Sequence, residues 1–188
     1  VSSSTSSICL RIVGPTAGVI VDNTGATTAV TASWYGDKGN RTWSAGNSFS
    51  NTGDNLMMTG YLDTGWNVYD SGNEYVSVAN IPYAAYDIYV YLRSGGTVQL
   101  NATSASSTPQ FSFAALNNPS SYVAADGSGS AADYALFSGQ TASSFKVSAF
   151  GGVIAGVQIV EAAVPEPATA GLLAAGSVML LLRRRRSA

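Results

Sequence analysis

The sequence predicts an all-β protein, an antiparallel β-sandwich of the jelly-roll type followed by one short C-terminal transmembrane helix. Short segments rich in β-branched and aromatic residues alternate with clusters of Gly, Asn and Ser along most of the chain. No sustained helical period occurs before residue 168. The end of the chain then changes to an uncharged apolar run that closes with four arginines. These observations predict one extracellular β-sandwich domain, residues 1–163, and a tail, residues 164–188.

The clearest alternation lies in the stretch EYVSVANIPYAAYDIYVYL, which predicts two strands joined by a tight link around Pro82. In the second strand, one face is apolar and the other is rich in tyrosine. We expect Tyr89 and Tyr91, on the tyrosine-rich face, either to cover the second sheet or to form an outer platform. Further strands are predicted at residues 8–13, 27–35, 56–61, 97–102, 110–113, 134–137, 145–149 and 153–160, with shorter ones at 19–21 and 66–69.

Residues 36–55 form a predicted long loop, GDKGNRTWSAGNSFSNTGDN, and long loops in compact domains often carry function. A flat aromatic ring beside amide, carboxylate or guanidinium groups can hold both the apolar face and the hydroxyls of a sugar. The alternative is that tryptophans such as Trp34 and Trp66 fill the core of the sandwich. The candidate carbohydrate-binding residues are Asp37, Asn40, Arg41, Trp43, Trp66 and Tyr69.

Charge and residue usage exclude several function classes. Apart from the four terminal arginines, five Lys and Arg stand against eleven Asp and Glu, a net charge of −6, which argues against nucleic-acid binding. The absence of histidine excludes a Ser-His-Asp triad and removes the commonest metal ligand. Cys9 is the only cysteine, so no intrachain disulfide can form, and we expect it to act as a small hydrophobic residue on the first strand.

The acidic residues between positions 37 and 74 allow two further functional interpretations, a calcium site and a glycosidase active site. Carboxylates interleaved with asparagines could hold a structural Ca²⁺ ion, but no D-x-[DN]-x-[DN]-G loop is present, and solvated turns are favoured. A glycosidase would need two carboxylates facing each other across a cleft, and any chain with eleven acids offers such pairs. We therefore predict no catalytic residue, no cofactor and no metal site. The residues concerned are Asp37, Asp54, Asp63, Asp70 and Glu74.

The tail combines three blocks with different physical properties. A rigid turn at residues 165–167 is followed by an apolar run, 168–182, and by an arginine cluster, 183–186. At about 1.5 Å per residue, the apolar run would make a helix of roughly 22 Å, shorter than the roughly 30 Å hydrocarbon core. Such a helix can insert if the arginines reach the interface and the bilayer thins, and the positive-inside rule then leaves the β domain outside. The other reading is a C-terminal core helix with a solvated basic patch, but the run lacks a polar face.

This tail resembles a PEP-CTERM sorting signal. The resemblance rests on the sorting motif Val164, Pro165, Glu166 and Pro167, the apolar helix, and a membrane stop made by Arg183, Arg184, Arg185 and Arg186. It implies export by a Gram-negative bacterium, insertion in the inner membrane, and processing there by an exosortase. It also implies association with the cell surface, exopolysaccharide or biofilm matrix. Because the opening VSSSTSS has no signal-peptide pattern, we expect the numbering to begin at a processed N-terminus.

The β domain is similar, in its layout, to the galactose-binding-like sandwiches often found ahead of this signal. The segments that carry the similarity are GDNLMMTGYLD, VANIPYAAYDIYVYL, DYALFSG and IAGVQIVE. The expected function is a non-catalytic envelope or matrix protein whose sandwich binds polysaccharide weakly. A purely structural surface protein without a small ligand is the alternative, and a matrix-glycan hydrolase comes third.

Overall fold

The computed structural model describes residues 7–11, 20–35, 42–44, 60–62, 74–101, 110–115 and 122–162. These residues are all-β and contain no helix, which confirms the predicted class. The strands are β1 Ser7–Arg11, β2 Thr31–Tyr35, β3 Thr42–Ser44, β4 Gly60–Leu62, β5 Glu74–Ala79, β6 Tyr86–Ser94, β7 Gly96–Leu100, β8 Gln110–Ala115, β9 Ala131–Ala132, β10 Tyr134–Gln140, β11 Ser144–Phe150 and β12 Val153–Glu161.

The strands form two six-stranded sheets. The first sheet runs β10-β6-β12-β4-β3, and β1 also pairs with β12, next to β4 on the same edge. The second sheet runs β2-β5-β11-β7-β8-β9. All strand pairs are antiparallel except the short β8–β9 pair. The prediction of antiparallel sheets is therefore confirmed.

One cluster of buried side chains contains residues from both sheets. On β6, the predicted apolar face is buried in this cluster: Tyr86, Ile88, Val90 and Leu92 are each 0% exposed. The second sheet contributes residues at alternate positions, including Val76 and Val78 of β5. Because the side chains of a strand alternate between its two faces, burial of every second residue fixes which face each sheet turns to the core.

The two strands predicted on either side of Pro82 are β5 and β6, and the link between them joins the second sheet to the first. Asn80 begins the connection with a positive φ of 61°, and the amide of Ile81 donates to the carbonyl of Ser143, 3.0 Å away. The hydroxyl of Tyr86 donates to the carbonyl of Ala142 at 2.6 Å. The β5–β6 connection is thus held against the β10–β11 connection, and both cross between the sheets.

Two further connections between the sheets, β6–β7 and β11–β12, approach each other at glycine residues. Gly96 begins β7, directly after β6 of the first sheet, and Gly152 lies between β11 of the second sheet and β12 of the first. A Cβ atom on Gly96 would come within 2.7 Å of the backbone nitrogen of Gly152. Only a residue without a side chain at position 96 permits this approach, so Gly96 allows the two crossings to touch.

The predicted strands differ from the structure mainly at their ends and in one loop. The predicted long loop at 36–55 contains a short strand, β3, which pairs with β4. The predicted strand at 66–69 and the whole tail, residues 164–188, lie outside the described residues. Within the described residues, no helix is both long and apolar enough to span a membrane.

Candidate functional site

The predicted carbohydrate-binding residues fall mostly outside the described part of the chain. Trp43 lies on β3, opposite Tyr61 of β4 in the strand register. The sorting motif and the arginine cluster also lie outside it, and all these assignments stay predictions. The other candidate sugar contacts outside the described residues are Asp37, Asn40, Arg41, Trp66 and Tyr69.

The outer face of the second sheet carries a group of exposed and half-buried aromatic, hydroxyl and ammonium side chains, here called the tyrosine–lysine face. Its residues form two neighbouring rows that run across strands β2, β5 and β11 in register. Tyr35 pairs with Tyr75 in one row, and Ser77 pairs with both Ser33 and Lys146 in the next. Side chains two positions apart on a strand point to the same face, so the five residues lie on one surface.

The two rings of this face stack nearly parallel. The centroids of Tyr35 and Tyr75 are 5.8 Å apart with an interplanar angle of 21°, and Tyr35 is 46% exposed. The Nζ atom of Lys146 lies 4.1 Å from the centroid of the Tyr75 ring. An ammonium group at this distance is attracted to the negative face of the aromatic ring. Lys146 lies within β11 opposite Ser77, and its backbone amide donates to Oδ1 of Asn101 at 3.0 Å.

The ammonium of Lys146 has no carboxylate partner within the described residues. Its neighbour in register is the hydroxyl-bearing Ser77. The exposed area ends at β11, because Ser148 and Gln99, which continue the row of Tyr75, are both 0% exposed. The tyrosine–lysine face is therefore a small edge platform with one positive charge.

The outer face of the first sheet carries a different group, here called the tyrosine cluster, made of Tyr89, Tyr91, Tyr122 and Tyr134. Its ring centroids lie 5.5 to 5.7 Å apart, with interplanar angles from 42° to 76°. Tyr91 is only 9% exposed, and its hydroxyl donates to Oε1 of Gln158 at 3.0 Å. Tyr89 and Tyr91 lie on the outer face of the first sheet, where Tyr89 packs against Tyr134 and Tyr91 packs against both Tyr122 and Tyr134, as a small second core.

Asp133 holds in place the segment that brings Tyr122 to this cluster. Its Oδ2 atom accepts a hydrogen bond from the amide of Val123 at 2.8 Å, and its own amide donates to the carbonyl of Val123 at 2.8 Å. Asp133 is 1% exposed, and Oδ1 has no hydrogen-bond partner within the described residues. Burial raises the pKa of the Asp133 carboxyl, and the Val123 amide offsets part of that rise.

The described carboxylates lie in separate turns and strands. No group of three potential metal ligands occurs among the described residues. Asp22 and Asp126 each accept hydrogen bonds within their own turns, and the hydroxyls of Thr24 and Ser128 lower the pKa of the respective carboxyl. The predicted acidic pairs involve Asp54, Asp63 and Asp70, outside the described residues, together with Glu74, of which only the backbone is described.

Sequence reasoning missed Tyr35, Tyr75 and Lys146 as a group. Alternation in TASWY and EYVSVA places Tyr35 and Tyr75 on the polar face of their strands. Strand pairing between β2, β5 and β11 brings the three residues together across long sequence separations, and alternation within single strands carries no information about that pairing.

Comparison with known proteins adds no further assignment: no protein-family model, curated protein or solved structure matches the chain.

Proposed function

We propose that the protein is an exported, non-catalytic component of a bacterial cell envelope or exopolysaccharide matrix. Its tail directs it into the inner membrane, where an exosortase-type enzyme processes it on the way to the cell surface. The observation that carries this proposal is the order of three blocks in residues 164–188. A Pro-Glu-Pro turn is followed by an apolar run shorter than the hydrocarbon core of a bilayer, and then by four arginines. A run of that length suits transient insertion better than a lasting anchor.

We further propose a jelly-roll sandwich for the β domain and a short membrane helix for residues 168–182. The connectivity supports the sandwich, because consecutive strands from β4 to β7 alternate between the sheets, as do β9 to β12. In the first sheet β12 lies between β1 and β6, and in the second sheet β11 lies between β5 and β7. Such interleaving of late strands between early ones is typical of two interlocked Greek keys.

The β domain binds polysaccharide weakly through the tyrosine–lysine face. An exposed aromatic ring can cover the apolar face of a pyranose, while neighbouring hydroxyls on the same flat surface bind its hydroxyl groups. Tyr35 supplies such a ring, and Ser33 and Ser77 lie in the adjacent row. The alternative, a structural surface protein without a ligand, is favoured by the tyrosine cluster, where the aromatic rings of an outer sheet face pack against one another.

Sorting can be tested by mass spectrometry of the native C-terminus in a Gram-negative host with and without its exosortase. We expect cleavage close to Pro167 in the first host and an intact Arg186 in the second. Glu166→Ala should block cleavage, whereas the matched control Ser187→Ala should not. An intact C-terminus in both hosts would contradict the sorting proposal.

Polysaccharide binding can be tested with the full-length protein in detergent on a glycan array. Tyr35→Ala should weaken binding by about tenfold if stacking contributes roughly 1.4 kcal/mol. Trp43→Ala tests the site predicted from sequence, and loss of binding in that variant with retention in Tyr35→Ala would move the site to the 36–55 loop. An array without any bound polysaccharide would favour the structural alternative.

A further inference from the structure

We infer that the saccharide bound at the tyrosine–lysine face carries an anionic group, a carboxylate or a sulfate ester, that pairs with Lys146. The inference rests on the proposed polysaccharide binding and names the class of sugar. Its basis is the juxtaposition of an exposed ring, Tyr35, with an ammonium group that no carboxylate of the described residues neutralises.

The geometry suits an elongated ligand. Strand order places Tyr35 on the edge strand β2, Tyr75 on β5 and Lys146 on β11. The ring and ammonium distances put Nζ of Lys146 within about 10 Å of the Tyr35 centroid, on the same surface. A sugar that stacks on the exposed ring of Tyr35 can therefore place its own substituent, or that of the next sugar unit, beside Lys146.

The charge on this face supports the choice of an anionic sugar. An ammonium group has three N–H donors, and its attraction to the Tyr75 ring does not use them as hydrogen bonds to an acceptor oxygen. The sheet positions around Lys146 supply hydroxyls from Ser33 and Ser77. The chain has a net charge of −6 apart from its terminal arginines, and Lys146 places on this face a positive charge that no carboxylate of the described residues pairs with.

Specificity would come from the short-range contact. The acidic protein as a whole repels a polyanion, but that repulsion is screened beyond about 8 Å at physiological ionic strength. A single exposed ion pair changes affinity by about three- to fivefold, which sets the size of the expected preference. Because an ammonium is a point charge, a carboxylate and a sulfate ester should both be accepted.

The test uses the full-length protein in detergent and isothermal titration with matched oligosaccharides. Oligogalacturonate and its methyl ester share one sugar backbone and differ in the charge and in one methyl group on each carboxyl, and a sulfated galactan oligosaccharide provides the second source of negative charge. The wild-type protein should bind the charged oligosaccharides about three- to fivefold more tightly than the ester. Lys146→Gln should abolish this preference while retaining ester binding, and Lys146→Arg should retain the preference.

The matched control is Arg93→Gln, because Arg93 lies 5.5 Å from the centroid of Tyr61 on the first sheet and forms the other cation–π pair of the described residues. It should leave the preference unchanged. Equal binding of acid and ester by the wild-type protein would overturn the inference, and so would equal weakening of both by Lys146→Gln. If the inference fails in either way but Tyr35→Ala still weakens binding of the ester, the proposed polysaccharide binding stands. If no oligosaccharide binds, the proposed binding function and this inference both fail.

Discussion

The outer faces of the two sheets use the same residue type in opposite ways. On the first sheet, the tyrosine cluster packs at steep angles, and Tyr91 is only 9% exposed. On the second sheet, Tyr35 and Tyr75 stack at 21°, and Tyr35 is 46% exposed. The tilted rings bury their surfaces against one another, whereas the parallel rings leave surface to solvent. A tyrosine-rich strand face therefore does not by itself indicate a binding platform.

The difference arises from what lies over each face. On the first sheet, the segment before β10 adds Tyr122, which contacts Tyr91 edge to face at 5.5 Å. Asp133 fixes that segment through its two hydrogen bonds to Val123. On the second sheet, Tyr75 lies between Tyr35 and the buried Ser148 in register, and Lys146 contacts its ring with a charged end that favours contact with water.

The largest expected effect is a difference in the stability lost when a tyrosine is removed from each of the two faces. Tyr91→Ala should lower the free energy of unfolding by about 3 kcal/mol, because it removes a buried ring and leaves a cavity. Tyr35→Ala should lower it by less than about 1 kcal/mol, because the ring is half exposed. Urea denaturation of both variants measures the difference. Equal losses would mean that the stacked pair is as much a part of the core as the tyrosine cluster.

The second prediction concerns the carboxylate that holds Tyr122 in place. Asp133→Ala should cost about 2 kcal/mol of unfolding free energy, because it leaves the amide of Val123 without its acceptor. Near-ultraviolet circular dichroism should also show loss of the ordered tyrosine signal. Asp126→Ala is the matched control, since Asp126 is exposed and bonds only within its own turn. A larger loss in the control would contradict the role given to Asp133.

The pH dependence of Asp133→Asn tests the same group. Burial raises the pKa of Asp133 above its ordinary value of 3.8, so the native state binds the proton more tightly than the unfolded chain. The wild-type protein should therefore gain stability relative to Asp133→Asn as the pH falls through the raised pKa towards 3.8. The gain should be lost again as the pH rises above the raised pKa. Parallel urea titrations at pH 7 and pH 4 measure this change, and a constant difference would show that Asp133 does not titrate in this range.

A smaller effect is expected from one hydroxyl in the tyrosine cluster. Tyr91→Phe should cost about 1 kcal/mol, because it removes the hydrogen bond to Gln158 while retaining the ring. Tyr89→Phe should change stability less, since no hydrogen bond of its hydroxyl occurs within the described residues. Thermal denaturation of the two variants separates the contribution of the hydroxyl from that of the ring.

The smallest effect is expected at the platform. Lys146→Gln should lower the free energy of unfolding by about 0.5 kcal/mol, the size of an exposed cation–π contact. Its effect on saccharide preference should be larger than its effect on stability. A stability loss comparable to that of Tyr91→Ala would instead make Lys146 a structural residue and remove the contrast between the two faces.

The sequence predicts which face of a strand is buried better than it predicts which strands pair. Alternation in YDIYVYL identified the buried face of β6, because period two is a local property of the chain. The short strand β3 was missed, since TWS is too short to show a period and lies among Gly, Asn and Ser. The link around Pro82 was predicted, but alternation could not tell that it joins β5 of one sheet to β6 of the other.

The sequence by itself determined the all-β class, the buried and outer faces of the main strands, and the chemistry of the tail. Each of these depends on the spacing and polarity of residues close together in the chain. Only the tertiary structure decided which strands pair and which tyrosines are covered. The contact between Tyr75 and Lys146 spans 71 sequence positions and depends on the register of β5 against β11. Register follows from burial of a whole sheet face, a property of the assembled fold rather than of any single strand.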